Sequence, residues 1–419
     1  MRDAAWEDRS LVRFGLPISV VLLLAIPTFL SRIVFLRVLP VEQAARLVLF
    51  FAAVPLCAFV GNLGQSGVVS RYYSRRKVGA GDWPSDLVSG GLVVLLPTMA
   101  VAVVVSFYNG LHPAMGLALF VSALSFNLTQ QMSMMLIAAE DFTLGSALDR
   151  LSGTLLIFLA VPLIFFPAAR SVGFVVAGYT LTNLLILLLG FVVLRRRLPR
   201  GTRRLSLQER KTGTAFWLSS GISFLRENLL IVIVQPAVSP FSLAAFDALS
   251  ILFRGFEIVR QPLSSIMLVD ITRARKPAYI RRSIVVGLAG LGAAVLSLVL
   301  MPVLLDLLYA GRYDLAGWMI PWLAGYHVLR WLYTVPAGFL FGRSSEHTLA
   351  VYIRFKVIGV GLVLLAGGLL SYRIGFPAFI ATLLAAVIVE VCLAYGFLLA
   401  AGDQERKGLA PAAARPDSE

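Results

Sequence analysis

A run of about twenty apolar residues is long enough to cross the roughly 30 Å hydrocarbon core of a bilayer as an α-helix, the one open-chain form that satisfies its backbone hydrogen bonds internally. The 419-residue chain holds about twelve such runs. Windows of about 19 residues place them near 11–35, 45–66, 85–108, 114–138, 151–168 and 172–194, and again near 213–235, 242–266, 283–306, 316–340, 351–371 and 376–399. Barrel strands would be about ten residues long and alternate in polarity, which these runs do not. With 58% hydrophobic and 14% charged residues, the composition does not suit a soluble domain. The expected fold class is an all-α polytopic membrane protein.

The formal charge of +15 is a matter of topology rather than of nucleic-acid binding. Arg71, Arg75, Arg76 and Lys77 follow the second run, Arg195 to Lys211 hold eight basic residues after the sixth, and Arg273, Arg275, Lys276, Arg281 and Arg282 follow the eighth. Intervening loops carry isolated examples such as Arg170, Arg312 and Arg373. By the positive-inside rule both termini are cytoplasmic. The opening "MRDAAWEDRS" is polar, so the first run reads as a retained span and not as a cleaved signal. Cys57 and Cys392 fall inside spans, and neither a disulfide, a metal site nor a cofactor is expected.

The longest basic connection, "RRRLPRGTRRLSLQERK", divides the chain into an N-terminal six-helix bundle (1–194), a basic cytoplasmic linker (195–212) and a C-terminal six-helix bundle (213–400), followed by a disordered tail (401–419). An echo at an offset of 200 residues supports two parallel repeats: Pro40, Ala44, Ala45, Leu49 and Arg75 match Pro240, Ala244, Ala245, Leu249 and Arg275.

Charge inside the spans is the next constraint. Arg226 and Glu227 stand in "TAFWLSSGISFLRENLLIVIV", where a charge near the helix centre costs roughly 2.5–3.5 kcal/mol and so faces a cavity, a partner or a ligand. In the eighth span Asp247, Ser250, Arg254, Glu257 and Gln261 recur at spacings of three and four, which places them on one helix face. Tyr326, Arg330 and Tyr333 repeat the pattern in the tenth span, Asn127 and Gln131 in the fourth, and Glu390 stands alone in the twelfth. Structural roles compete with each of these. Arg254 and Glu257 could neutralise one another at i,i+3, Asn127 and Gln131 could hold helices together, and Arg32 near its span end could reach the interface. Arg226, Arg254 and Arg330 at mid-depth nevertheless exceed the acids near them. A basic cavity suits an anionic ligand, and the planar guanidinium fork matches phosphate.

Two segments then carry a family resemblance. "SRIVFLRVLPVEQAARLVLFFAAV" resembles the first-to-second helix segment of the polysaccharide-unit flippases of the multidrug/oligosaccharidyl-lipid/polysaccharide (MOP) exporter superfamily, though it lacks the usual Gly before Pro40. "LYAGRYDLAGWMIPWLAGYHVLRWLYTVPAGFLFGRSSEHTLA" at 308–350 is similar to that family's ninth-to-tenth connection, with Gly342 and Arg343 closing the helix. The resemblance implies two six-helix bundles that alternate access around a central cavity. Its cargo would be an undecaprenyl-diphosphate-linked oligosaccharide, passed on to polysaccharide polymerase machinery. On that reading Arg226, Arg254, Arg330, Arg32, Asn127, Gln131 and Tyr326 bind substrate, and Glu227, Glu257, Asp247 and Glu390 serve coupling or gating. Proton or sodium coupling and a monomeric state are expected.

Two other readings stand beside it. A cation-coupled multidrug exporter of the same superfamily would have an acidic cavity, opposite in sign. A membrane-embedded polysaccharide-assembly enzyme would present a large outer loop or a reactive histidine, and of His112, His327 and His347 only His327 lies near an interior face of a span. No Gly-rich phosphate loop is present for ATP.

Overall fold

A computed structural model describes residues 4–66, 68–69, 82–139, 141–202, 204–205, 210, 217, 226, 228–254, 279–342 and 344–406. Almost all of these are helical. The helices run Ala4–Val38, Val41–Asn62, Trp83–Tyr108, Pro113–Ala138, Phe142–Leu155, Ile157–Phe165 and Val172–Arg197. After short pieces at Asn228–Ala237 and 240–254 come Tyr279–Tyr309, Met319–Gly342, Glu346–Ile374 and Phe376–Arg406. Seven helices among the described residues are long and apolar enough to span a membrane. The chain is a multi-pass, all-α membrane protein.

Helix ends follow local chemistry more closely than hydropathy does. The fifth expected span begins at 142 instead of 151, because Asp141 caps the helix by accepting from the Leu144 amide and the polar residues of "FTLGSALDR" stay helical beneath the apolar run. Pro113 at the first turn of its helix, behind the cap His112, uses a position whose N–H needs no helical partner. The last helix continues to Arg406, into the stretch expected as a disordered tail. Most of the expected span 213–235, together with Glu227, Glu257, Gln261, Arg75, Arg275 and Arg343, lies outside the described residues.

Packing divides the chain into two compact units. The first comprises Met1–Leu252, Pro302–Gly317 and Leu370–Phe379; the second comprises Phe253–Met301, Trp318–Leu369 and Ile380–Glu419. The first unit therefore includes residues from both sides of the basic connection at 195–212.

In the first unit Val41–Asn62 is the central helix, 78% buried over its most apolar window against 28% for Trp83–Tyr108. Small residues let neighbours close on it. A side chain at Gly61 would begin 2.8 Å from the Thr98 Cα, so the two helices meet almost backbone to backbone there. The sequence echo also appears in burial: Ala44, Ala45 and Leu49, like Ala244, Ala245 and Leu249, are all buried. In the second unit Val286, Trp331, Val335, Phe339, Tyr352, Ala394 and Leu398 form one apolar core.

Candidate functional site

Arg32, on the first helix, and Asp247, in the piece over 240–254, form an ion pair of 3.1 Å within the first unit, their side chains 13% and 8% exposed. The Arg32 guanidinium carbon also lies 4.1 Å from the centroid of the Phe51 ring. Phe51 is held edge-on by Tyr179 at 5.2 Å, and the Tyr309 hydroxyl donates to the Ala248 carbonyl one residue beyond Asp247. A lone guanidinium at this depth would be costly; a carboxylate and a ring face offset much of that cost. Arg32 must therefore give up Asp247 before it can present its full donor fork to another anion.

The same end of the first unit is tied by side chains that reach helix termini. Arg312 donates to the Leu36 and Arg37 carbonyls at 3.0 and 2.9 Å, and the Tyr313 hydroxyl donates to the Leu36 carbonyl at 3.0 Å. The final carbonyls of a helix lack internal partners and carry partial negative charge, which a cation complements. Burial pushes the Tyr313 hydroxyl up to about 12, against the lowering effect of Arg312, so it remains a donor. Tyr108 and Tyr372 both donate to the Ile233 carbonyl, at 2.9 and 3.0 Å, just before the chain tightens into a 3-10 turn at Gln235–Ala237.

Asn127 and Gln131 occupy a buried polar layer deeper in this unit. Asn127 accepts from Asn62 at 2.9 Å and donates to the Thr98 hydroxyl at 3.3 Å, joining three helices. Gln131 is fully buried and sits against Gly90, where a Cβ would come within 2.4 Å of its Oε1. Neither amide atom of Gln131 meets a hydrogen-bond partner among the described residues.

The basic connection is not a free linker where it is described. Arg210 is buried, 3.6 Å from the Asp86 carboxylate. It donates to the Gln65 side chain at 3.1 Å, the Asp86 carbonyl at 3.0 Å and the Ser89 hydroxyl at 2.6 Å. Asp86 also accepts from the Leu205 amide, and Trp83 donates to the Leu198 carbonyl. Arg200 and Arg204 meet Asp82 at 3.3 and 3.0 Å. Sequence reasoning passed over Arg210 and Asp86; a buried acid in the first turn of Trp83–Tyr108, followed by a surplus of arginines downstream, was the signal.

In the second unit Tyr326 is buried and accepts from Arg330 at 3.2 Å. His327 stacks on Phe253 at 5.1 Å. Glu390, alone in the apolar part of its helix, meets Lys356 of the preceding helix at 2.5 Å, with both side chains almost fully buried; Lys356 was not singled out from sequence. Arg226 is buried in the first unit. Arg254 ends the described part of its helix with an exposed side chain. The structure thus pairs Arg32 with Asp247 and Arg330 with Tyr326. Among the described residues, no group of three or more His, Cys, Asp or Glu converges as metal ligands would.

No protein-family profile matches the chain, and no curated protein sequence matches it. Solved structures do. A multidrug resistance MATE-family transporter of the MOP superfamily in an outward-facing conformation aligns with a TM-score of 0.60 at 13% identity, over 94% of this chain and 96% of its own. An inward-facing MATE transporter of that superfamily aligns with a TM-score of 0.57 at 12% identity, over 96% and 99%. A MOP-superfamily transporter from Pyrococcus furiosus, described as having a binding pocket of reversed polarity, aligns with a TM-score of 0.52 at 13% identity, over 96% of each chain. The chain shares the fold of these transporters.

Proposed function

We propose that the chain is a MOP-type exporter that flips an undecaprenyl-diphosphate-linked oligosaccharide from the cytoplasmic to the outer leaflet of a bacterial inner membrane. The carrying observation is the sign of the charge inside the spans. Asp247 and Glu390 are each met by a base, Arg32 and Lys356, and across the seventh, eighth and tenth spans Arg226, Arg254 and Arg330 outnumber the two further acids, Glu227 and Glu257. A basic interior attracts a diphosphate and repels a cationic drug. In this reading Arg226, Arg254 and Arg330 receive the diphosphate, and Tyr326, Asn127 and Gln131 line the sugar path. The Arg32–Asp247 pair, with Glu227, Glu257 and Glu390, serves coupling or gating, and a proton or sodium gradient drives transport. The chain acts as a monomer, without a catalytic residue, and hands its cargo to polymerase machinery.

The second reading is a cation-coupled multidrug exporter, favoured by the multidrug resistance transporters that share the fold. The transporter of reversed pocket polarity supports the view that this fold accommodates either sign. Depletion of the protein separates the readings. Accumulation of lipid-linked oligosaccharide on the cytoplasmic face, relieved by wild type and not by Arg226→Ala or Arg330→Ala at matched expression, supports the flippase. Unchanged lipid intermediates together with increased drug sensitivity support the second reading.

A further inference from the structure

Lys356 and Glu390 have a chemistry that phosphate binding does not use. Glu390 is the one buried carboxylate among the described residues of the second unit. The Lys356 ammonium lies 2.5 Å from its Oε1, with the two side chains 5% and 4% exposed. That ammonium is also 5.5 Å from the ring centroid of Tyr333 and 6.0 Å from that of Tyr352. The two tyrosines fix each other through a 2.9 Å hydroxyl–hydroxyl bond. A buried carboxylate beside two aromatic faces is a donor set for a small monovalent cation, since the oxygen supplies a hard ligand and the ring faces are electronegative.

We infer that Lys356 is a tethered cation: its ammonium fills a monovalent-cation seat built by Glu390, Tyr333 and Tyr352, so this seat takes no sodium ion in the native chain. A sodium ion arriving at Glu390 would meet a like charge at ion-pair distance in a site poorly screened by water. Shortening Lys356 removes the resident charge and leaves the carboxylate buried without it. Such a carboxylate either takes a proton or recruits a cation from solution. The aromatic pair remains in place and favours recruitment.

Only the link from this seat to coupling rests on the exporter reading. The seat itself lies within one packed unit, and a measurement of cation binding reads it whatever the chain carries. The test is thermal unfolding of the full chain in detergent, in sodium chloride, methylammonium chloride or choline chloride at equal ionic strength. Any salt-specific shift of the wild type is expected to persist in Glu390→Gln. Lys356→Ala is expected to melt lower in choline and to recover with sodium or methylammonium; Lys356→Ala/Glu390→Gln is expected to lose that recovery. If Lys356→Ala does not survive extraction in choline, Lys356→Gln and purification with sodium or methylammonium throughout read the same property. Recovery of folded protein with those cations alone supports the seat. Sodium stabilisation of the wild type that Glu390→Gln abolishes, or a variant rescued by neither cation, overturns it. Failure of the oligosaccharide assay with an intact cation response would overturn the cargo and leave the seat standing.

Discussion

The guanidinium of Arg32 and the carboxylate of Asp247 stand 3.1 Å apart although 215 residues separate them in the chain. Each is mostly withdrawn from water, so each makes the other's burial tolerable. Removing one partner is expected to cost more than removing both, because a single substitution strands a charge. Asp247→Ala should destabilise the protein by about 3–5 kcal/mol, and Arg32→Ala/Asp247→Ala by less. A thermal-unfolding double-mutant cycle checks this; additive single effects would show that the two residues do not act as a pair.

Asp82 gives a pH dependence of known sign. Its hydrogen bond with Ser85, followed by those from Arg204 and Arg200, lowers the carboxyl from 3.8 to about 2 despite the opposing effect of burial. A lowered folded-state value stabilises the native chain wherever the unfolded carboxyl would be ionised. The contribution is therefore present above about pH 4 and lost as pH falls through about 2. The melting difference between wild type and Asp82→Asn should be constant from pH 7 to 5 and shrink steadily below 4. A difference that grows on acidification would reverse the assigned sign.

What could be read in the sequence follows from the range of the forces involved. Span positions depend on twenty-residue windows of transfer free energy, and those that fall on described residues emerged nearly in place. The start at 142 was displaced because Asp141 and the polar face of "FTLGSALDR" count against a span in any hydropathy window, although they cap and continue the helix. Pairings depend on tertiary contacts, which composition does not encode. Glu390 looked solitary because its partner Lys356 lies on another helix, 34 positions upstream. Asp247 was legible as one of a polar stripe, and its partner Arg32 was flagged too, but nothing in either span identified one to the other. Arg210 was hidden for a different reason. Eight basic residues in one connection read as topology, and only the structure distinguishes buried Arg210 from Arg200 and Arg204, whose side chains are 70% exposed.

The crossing of Val41–Asn62 and Trp83–Tyr108 gives a steric prediction. At Gly61 an added Cβ would lie 2.0 Å from the Thr98 hydroxyl and 2.8 Å from its Cα. A rotamer change moves the hydroxyl away but leaves the backbone contact. Gly61→Ala should thus cost about 1–3 kcal/mol as overpacking, and Thr98→Ala should restore only part of it. The unfolding temperatures of the two single variants and the double variant check the prediction; full restoration would place the conflict in the Thr98 side chain alone.

The Arg312 and Tyr313 contacts make the end of the first helix depend on a turn about 275 residues away in sequence. Arg312 supplies two hydrogen bonds and a positive charge where the helix dipole is negative. Arg312→Ala should therefore cost about 1–2 kcal/mol and act locally, since Tyr313 still holds the Leu36 carbonyl. Removing both side chains, in Arg312→Ala/Tyr313→Phe, leaves the Leu36 and Arg37 carbonyls without the donors that hold them. Amide hydrogen exchange over 33–38 is the discriminating readout: it should quicken modestly in the single variant and strongly in the double one, while exchange in Val172–Arg197 stays unchanged. Uniform acceleration across the first unit would mean that the turn stabilises the whole bundle and not the helix end alone.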